Sequence, residues 1–293
     1  MTARPLDLRG AAVAFLINVI WAGNPVAIKV GLADCPPFRL ASLRFCLGGI
    51  AVLAWAWLTG QRGVLRIRPG EGRLLLNVGL LFALQIGTMN VGIAHTTAAH
   101  AVVLFNAYAV HAVVLAHFQI PGDRMTAAKL AGIVVAYAGV LVLFGGTFSP
   151  SSQTLGGDLL VSASALLLGE RMVYSARAVQ RVDPTTFLVY QAAVGLACFI
   201  TASLWWEAAV PTRYTPSLLL SLGFQGVVVA GFNFVVNLHL LRVYRPSALA
   251  AWALITPVAG VVIAAVISGE PLTPALWLSS ALVAAGIGLT TRR

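Results

Sequence analysis

Apolar residues run along this chain in blocks of about 20, each closed by charged residues or by Gly/Pro punctuation. A helix rising about 1.5 Å per residue needs about 20 such residues to cross a bilayer core. The blocks therefore predict ten spanning helices, near residues 10–32, 37–59, 73–94, 97–119, 126–146, 155–177, 184–206, 217–241, 246–268 and 273–291. The first block runs on to about Leu32, longer than the apolar stretch of a cleaved signal peptide, and is expected to stay as a helix.

Composition agrees with an all-α integral membrane protein. Of the 293 residues, 59% are hydrophobic and 10% charged, with a mean hydropathy of +0.89; a soluble domain carries about 25% charged residues. The net charge of +10 does not mark a nucleic-acid partner. Its basic residues recur in short loops instead of forming one patch, which is the positive-inside pattern. With the N-terminus inside, fifteen Lys and Arg fall on one side and four (Lys29, Arg39, Arg44, Arg213) on the other. Both termini are thus expected in the cytoplasm. Trp55, Trp57, Trp205 and Trp206, at helix ends, fit interfacial anchoring. Cys35, Cys46 and Cys198 have neither a disulfide nor a zinc spacing and are read as filler.

A weak self-similarity recurs at a constant offset of 147 residues. Gly10 maps to Gly157, Pro37 to Pro184, Gly48 to Gly195, Gly79 to Gly226 and Asn90 to Asn237. The turn Gly122-Asp123-Arg124-Met125-Thr126 maps to Gly269-Glu270-Pro271-Leu272-Thr273. Residues 1–150 and 151–293 then form two five-helix repeats within one membrane domain. Five is odd, so the second repeat enters the membrane from the opposite side. Such inverted repeats accompany alternating access around a midplane site; a duplication kept only for folding is the other reading.

These residues carry a family resemblance as well. Trp21-Ala22-Gly23-Asn24, then Pro36-Pro37-Phe38 leading to Leu43-Arg44-Phe45, then Pro257 followed by Ser268-Gly269-Glu270-Pro271-Leu272-Thr273, resemble the EamA-type members of the drug/metabolite transporter superfamily. The resemblance extends over nearly the whole chain. It implies a ten-helix bacterial inner-membrane exporter or exchanger of amino acids and related metabolites, with a central cavity between its halves. Two departures stand out. Val110 occupies the position that the offset pairs with Pro257, and Gly169-Glu170-Arg171 replaces the aromatic or small apolar residues usual in the family.

Ionisable groups inside membrane helices are functional candidates by default. Glu170 and Arg171 lie mid-helix and project about 100° apart, so they need not pair with each other. Glu170 is a candidate proton or cation site and Arg171 a candidate anchor for a substrate carboxylate; a structural ion pair to a neighbouring helix is the alternative. Tyr174, one turn along, is expected to hold Glu170 by a hydrogen bond. Trp21, Asn24 and Pro25 sit near mid-membrane in the first helix, and Asn24 is the 147-residue counterpart of Arg171. Gln85, His100, Asn106, Asn233 and Trp252 complete the substrate-binding candidates, each with helix packing as the competing role. Asn90 and His95 read as capping or interfacial, and Asp123 and Glu270 as helix N-terminal charges.

The expected function is export or exchange of a small-molecule metabolite across the lipid bilayer, with a coupling proton as a possible partner. Uptake, and a membrane scaffold without transport, are the alternatives. No clustered catalytic group is evident, so an enzyme is not expected. No P-loop is present, so no nucleotide or other cofactor is expected.

Overall fold

A computed structural model describes residues 7–60, 65–120, 125–145, 153–178, 181–233, 236–237, 240, 252 and 255–290. Among these the chain is helical, without strands. Helices α1 (Leu8–Ala22) and α2 (Asn24–Leu32) make one span bent at Gly23. The bend follows from Pro25, which has no N–H and whose ring crowds the Trp21 carbonyl. Then come α3 (Pro37–Leu58), α4 (Gly72–Ala94), α5 (Ala98–Asn106), α6 (Tyr108–Gln119) and α7 (Ala127–Gly145). The rest are α8 (Leu155–Ala178), α9 (Pro184–Trp206), α10 (Pro216–Gly223) with a π-helical continuation Phe224–Asn233, α11 (Ile255–Ser268) and α12 (Pro274–Thr290).

Seven segments among the described residues are long and apolar enough to cross a membrane: Leu8–Leu32, Pro37–Leu58, Gly72–Ala94, Ala98–Gln119, Leu155–Ala178, Thr185–Trp206 and Pro216–Asn233. Three shorter apolar stretches, Ala127–Leu143, Ile255–Ser268 and Pro274–Thr290, accompany them. The expected spans near 217–241 and 246–268 include residues 234–235, 238–239, 241–251 and 253–254, which lie outside the described residues, as does Asp123. The span expected near 97–119 breaks at Ala107 without a proline. Asn106 Nδ2 donates to the Val102 carbonyl at 2.7 Å, the acceptor that the Asn106 backbone N–H would use. Ala107 N turns back to the Leu104 carbonyl at 3.2 Å. Such side-chain competition bends helices.

Small residues set the closest helix contacts, as expected where lipid removes the hydrophobic drive between helices. A Cβ on Gly286 of α12 would lie 2.6 Å from the Gly132 carbonyl of α7, and one on Gly139 of α7 would lie 2.8 Å from the Ser279 carbonyl of α12. Likewise Gly79 of α4 faces Val194 of α9 at 2.4 Å, and Gly226 faces Leu47 of α3 at 2.8 Å. These contacts are reciprocal. Gly132 and Ser279, Gly139 and Gly286, Gly79 and Gly226, and Leu47 and Val194 each stand 147 residues apart.

Carboxylates fasten one end of the bundle. Glu207, just past α9, accepts from the backbone N–H groups of Phe38 (2.7 Å) and Arg39 (2.8 Å) at the start of α3. In return Arg39 donates to the Glu207 and Val210 carbonyls, each at 2.7 Å, and to Thr212 Oγ1 at 2.9 Å. Asp34 pairs with Arg213 at 2.8 Å. Nearby, the buried Cys35 thiol is pushed up to about 11 by burial, so it stays protonated and unreactive. Glu270 accepts from Ala98 N (2.6 Å) and Ala99 N (2.8 Å), and is thus a helix N-terminal charge, acting on α5 instead of its own helix. Asn90, expected to be interfacial, is instead buried and donates to the Pro37 carbonyl at 3.0 Å. Glu270→Gln removes the charge from the α5 terminus and should lower stability by about 1–2 kcal/mol. Thermal unfolding in nanodiscs reads this directly, and an unchanged midpoint would refute it.

Candidate substrate-binding site

The bundle interior holds two guanidinium groups on one aromatic cluster. Arg44 of α3 is 5% exposed, and its Nε and Nη1 are buried without a hydrogen-bond partner. Its Cζ lies 4.9 Å from the Phe45 ring centroid. Arg171 of α8, partly buried, places its Cζ 4.9 Å from the Phe82 ring of α4. The two rings meet edge to face with centroids 4.8 Å apart, and Phe199 of α9 stacks on Phe45 at 5.9 Å. The two guanidinium groups thus sit on the two rings of one contacting aromatic pair.

Local packing explains how the groups get there. Gly226 presses on the Arg44 carbonyl, where a Cβ would lie at 3.0 Å, and so fixes the rotation of α3. Gly169 brings α8 against His111 of α6, where a Cβ would lie 2.8 Å from the His111 Cβ. Arg171, two residues on, projects about 200° away from that contact, toward α4. A charge inside a bilayer costs about 2.5–3.5 kcal/mol on insertion scales. A cation over an aromatic face recovers about 0.5–2 kcal/mol of it. The pair is therefore incompletely compensated, which favours an anionic ligand.

The other candidates divide into separate groups. Glu170 accepts from Gln119 Nε2 of α6 at 2.5 Å, and Gln119 in turn accepts from Arg177 at 2.9 Å. Glu170 thus forms no ion pair with Arg171, and its tie to α6 is an amide. Tyr174 does not hold Glu170 as expected. It packs beside Leu75 and Val78, with the Arg177 guanidinium 6.0 Å from its ring, because one turn along α8 points it toward the α4 start. His100 Nδ1 lies 3.0 Å from Asp158, which also accepts from Thr96, so His100 ties α5 to α8. Gln85 donates to Ser164 at 3.0 Å across α4 and α8. Asn233 donates to the Ile17 carbonyl at 3.0 Å. Trp21 and Trp252 share one cluster on α1, where Phe15 meets Trp252 edge-on at 6.1 Å. Asn106 is engaged by its own helix, and Asn24 is buried with its Oδ1 unpartnered.

Sequence reasoning passed over Arg44 and Asp158. The signal for Arg44 was present: a guanidinium eight positions into an apolar span. A cleft of about 540 Å³ opens where α4 begins and α8 ends, lined by Arg68, Arg73, Asn77, Tyr174 and Arg181 among others. Tyr174 is one turn from Arg171, so the basic cleft lies below the guanidinium pair.

Apolar helices of spanning length with charged groups turned into the bundle interior define a multi-pass membrane protein. The EamA-like transporter family matches residues 8–145 and again 155–292. This chain belongs to that family of transporters. It is 30% identical over 288 residues to a "probable amino-acid metabolite efflux pump" of Salmonella typhimurium, covering 94% of this chain and 92% of that protein. A protein of the same description from Escherichia coli K12 is 27% identical, with 96% and 94% covered. The inner membrane transporter YedA of that strain is 25% identical, with 98% and 91% covered. One solved crystal structure shares the fold, with a TM-score of 0.71, 22% identity, and 96% of this chain and 97% of that one covered.

Proposed function

We propose that this chain exports or exchanges amino acids or related small metabolites by alternating access. The frame would be ten spanning helices in two inverted five-helix repeats, residues 1–150 and 151–293, with both termini cytoplasmic. The reciprocal glycine contacts at a constant 147-residue offset carry this reading. A contact made in both directions is what a pseudo-two-fold axis in the membrane plane requires. Helix starts at Ala127 and Pro274 keep the same offset. The amino-acid class rests on the descriptions of the Salmonella and Escherichia relatives. Arg171 anchors the substrate carboxylate, and Asn24, at the equivalent place in the first repeat, lines the same cavity. Glu170 is the candidate coupling group, placed where proton uptake would loosen its tie to α6.

Counterflow in proteoliposomes with a metabolite panel, run with and without a pH gradient, tests this function. Exchange of at least one carboxylate-bearing metabolite is expected. Folded protein that moves none of them removes the transport reading. Glu170→Gln should abolish the dependence on the pH gradient, and a variant that keeps it rules out the coupling role.

A further inference from the structure

We infer that Arg44 and Arg171 together form an anion site that selects substrates of net negative charge, small mono- and dicarboxylates, over zwitterionic or cationic amino acids. This rests on the interior site proposed above and narrows its substrate class. The first observation is the orphaned guanidinium. Arg44 is 5% exposed and two of its three nitrogens lack partners, in a place where water is scarce. The planar fork of arginine matches the two oxygens of a carboxylate, and the phenylalanine faces hold the fork without satisfying its N–H groups.

The second observation is where the acids are. Every described carboxylate is engaged elsewhere. Asp158 serves Thr96 and His100, Glu170 serves Gln119, Glu207 serves the α3 amides, and Glu270 serves the α5 amides. Asp34 pairs with Arg213, while Asp7, Glu71 and Asp183 accept from nearby backbone N–H groups. A substrate ammonium group would therefore meet two guanidinium groups and phenylalanine rings, with no unengaged carboxylate among the described residues to receive it. The geometry rejects cations by like charge and leaves a zwitterion half unpaired. The cleft beneath, where Arg68, Arg73 and Arg181 outnumber the single carboxylate of Glu71, is net positive and raises the local concentration of anions on the approach to Arg171.

The test is binding to the full chain in nanodiscs by isothermal titration, with succinate, L-glutamate, L-leucine, L-lysine and inorganic phosphate as probes. Succinate should bind at least tenfold more tightly than L-leucine, and L-lysine should not bind. Arg44→Gln and Arg171→Gln should each weaken succinate tenfold or more, and Arg171→Lys should recover part of the loss. L-leucine or L-lysine binding as well as succinate overturns the inference. So does succinate binding that is indifferent to Arg171→Gln, or phosphate binding without any carboxylate binding. If Arg44→Gln does not fold, the wild-type selectivity and the Arg171 variants still decide. Arginine-dependent succinate binding without counterflow would sink the transport reading alone. Exchange of L-leucine unaffected by succinate would sink this inference alone.

Discussion

Glu207→Ala should destabilise the folded protein by about 3–5 kcal/mol, the range for breaking a buried charged partnership. Glu207 is 5% exposed. Its two carboxylate oxygens receive the Phe38 and Arg39 amides, which open α3 and have no acceptor within that helix. Alanine strands both donors and removes a negative charge from the positive end of the helix. It also loosens the docking of Arg39, whose side chain reaches the Val210 carbonyl, Thr212 and the Glu207 carbonyl. Glu207→Gln keeps one acceptor oxygen and should recover about half of the loss. Thermal unfolding of both variants in nanodiscs provides the measurement. A Glu207→Ala midpoint equal to that of wild type would show that the clasp contributes nothing.

The second large effect is expected at the contact of α7 with α12. Adding even a methyl group to Gly286 would bring a Cβ to 2.5 Å from Ala136 Cβ and 2.6 Å from both Ala136 N and the Gly132 carbonyl. Two of these neighbours are backbone and cannot swing aside. Gly286→Leu must therefore part the helices, at a cost on the order of 3–5 kcal/mol. Gly139→Leu should match it, because Gly139 meets the Ser279 carbonyl at 2.8 Å in the reciprocal contact. Gly49→Leu is the control, since nothing lies within 4 Å of its Cβ position. Yield of monodisperse protein after detergent extraction reads all three. Equal yields for Gly286→Leu and Gly49→Leu would rule out close packing as the reason for glycine here.

The seven segments long enough to span were legible because hydropathy reports an apolar helix directly. The spans expected at 37–59 and 184–206 match α3 and α9 within one residue. The bend at Gly23 was legible through Pro25, whose chemistry is local. The break at Ala107 was not, since it depends on whether Asn106 turns its amide back to Val102 or out to a neighbour. Arg171 stood out as a charge in an apolar helix. Arg44 is equally visible within its span, but only the packing of Gly226 against its carbonyl shows where α3 turns it. His100 looked like a lone imidazole because its partner, Asp158, is 58 residues away on α8. Tyr174, four residues along α8 from Glu170, shares its turn but sets its ring on the α4 side, while the Glu170 carboxylate reaches α6.

The π-helical stretch Phe224–Asn233 has a consequence for the register of the chain. Gln85 bonds Ser164 while Asn233 bonds the Ile17 carbonyl, and Ile17 and Ser164 stand 147 residues apart. Gln85 and Asn233 stand 148 apart. A π turn takes more residues per revolution than an α turn. On the two-repeat reading, the broad coil lets the seam close on the matching position from an amide one residue further along, while the pairs on either side keep the 147-residue offset. The amide that closes this seam has changed type, from glutamine to asparagine, with that slip. The 147-residue offset pairs Gln85 with Phe232, an exposed ring, whereas the amide that takes the matching place lies one residue further on.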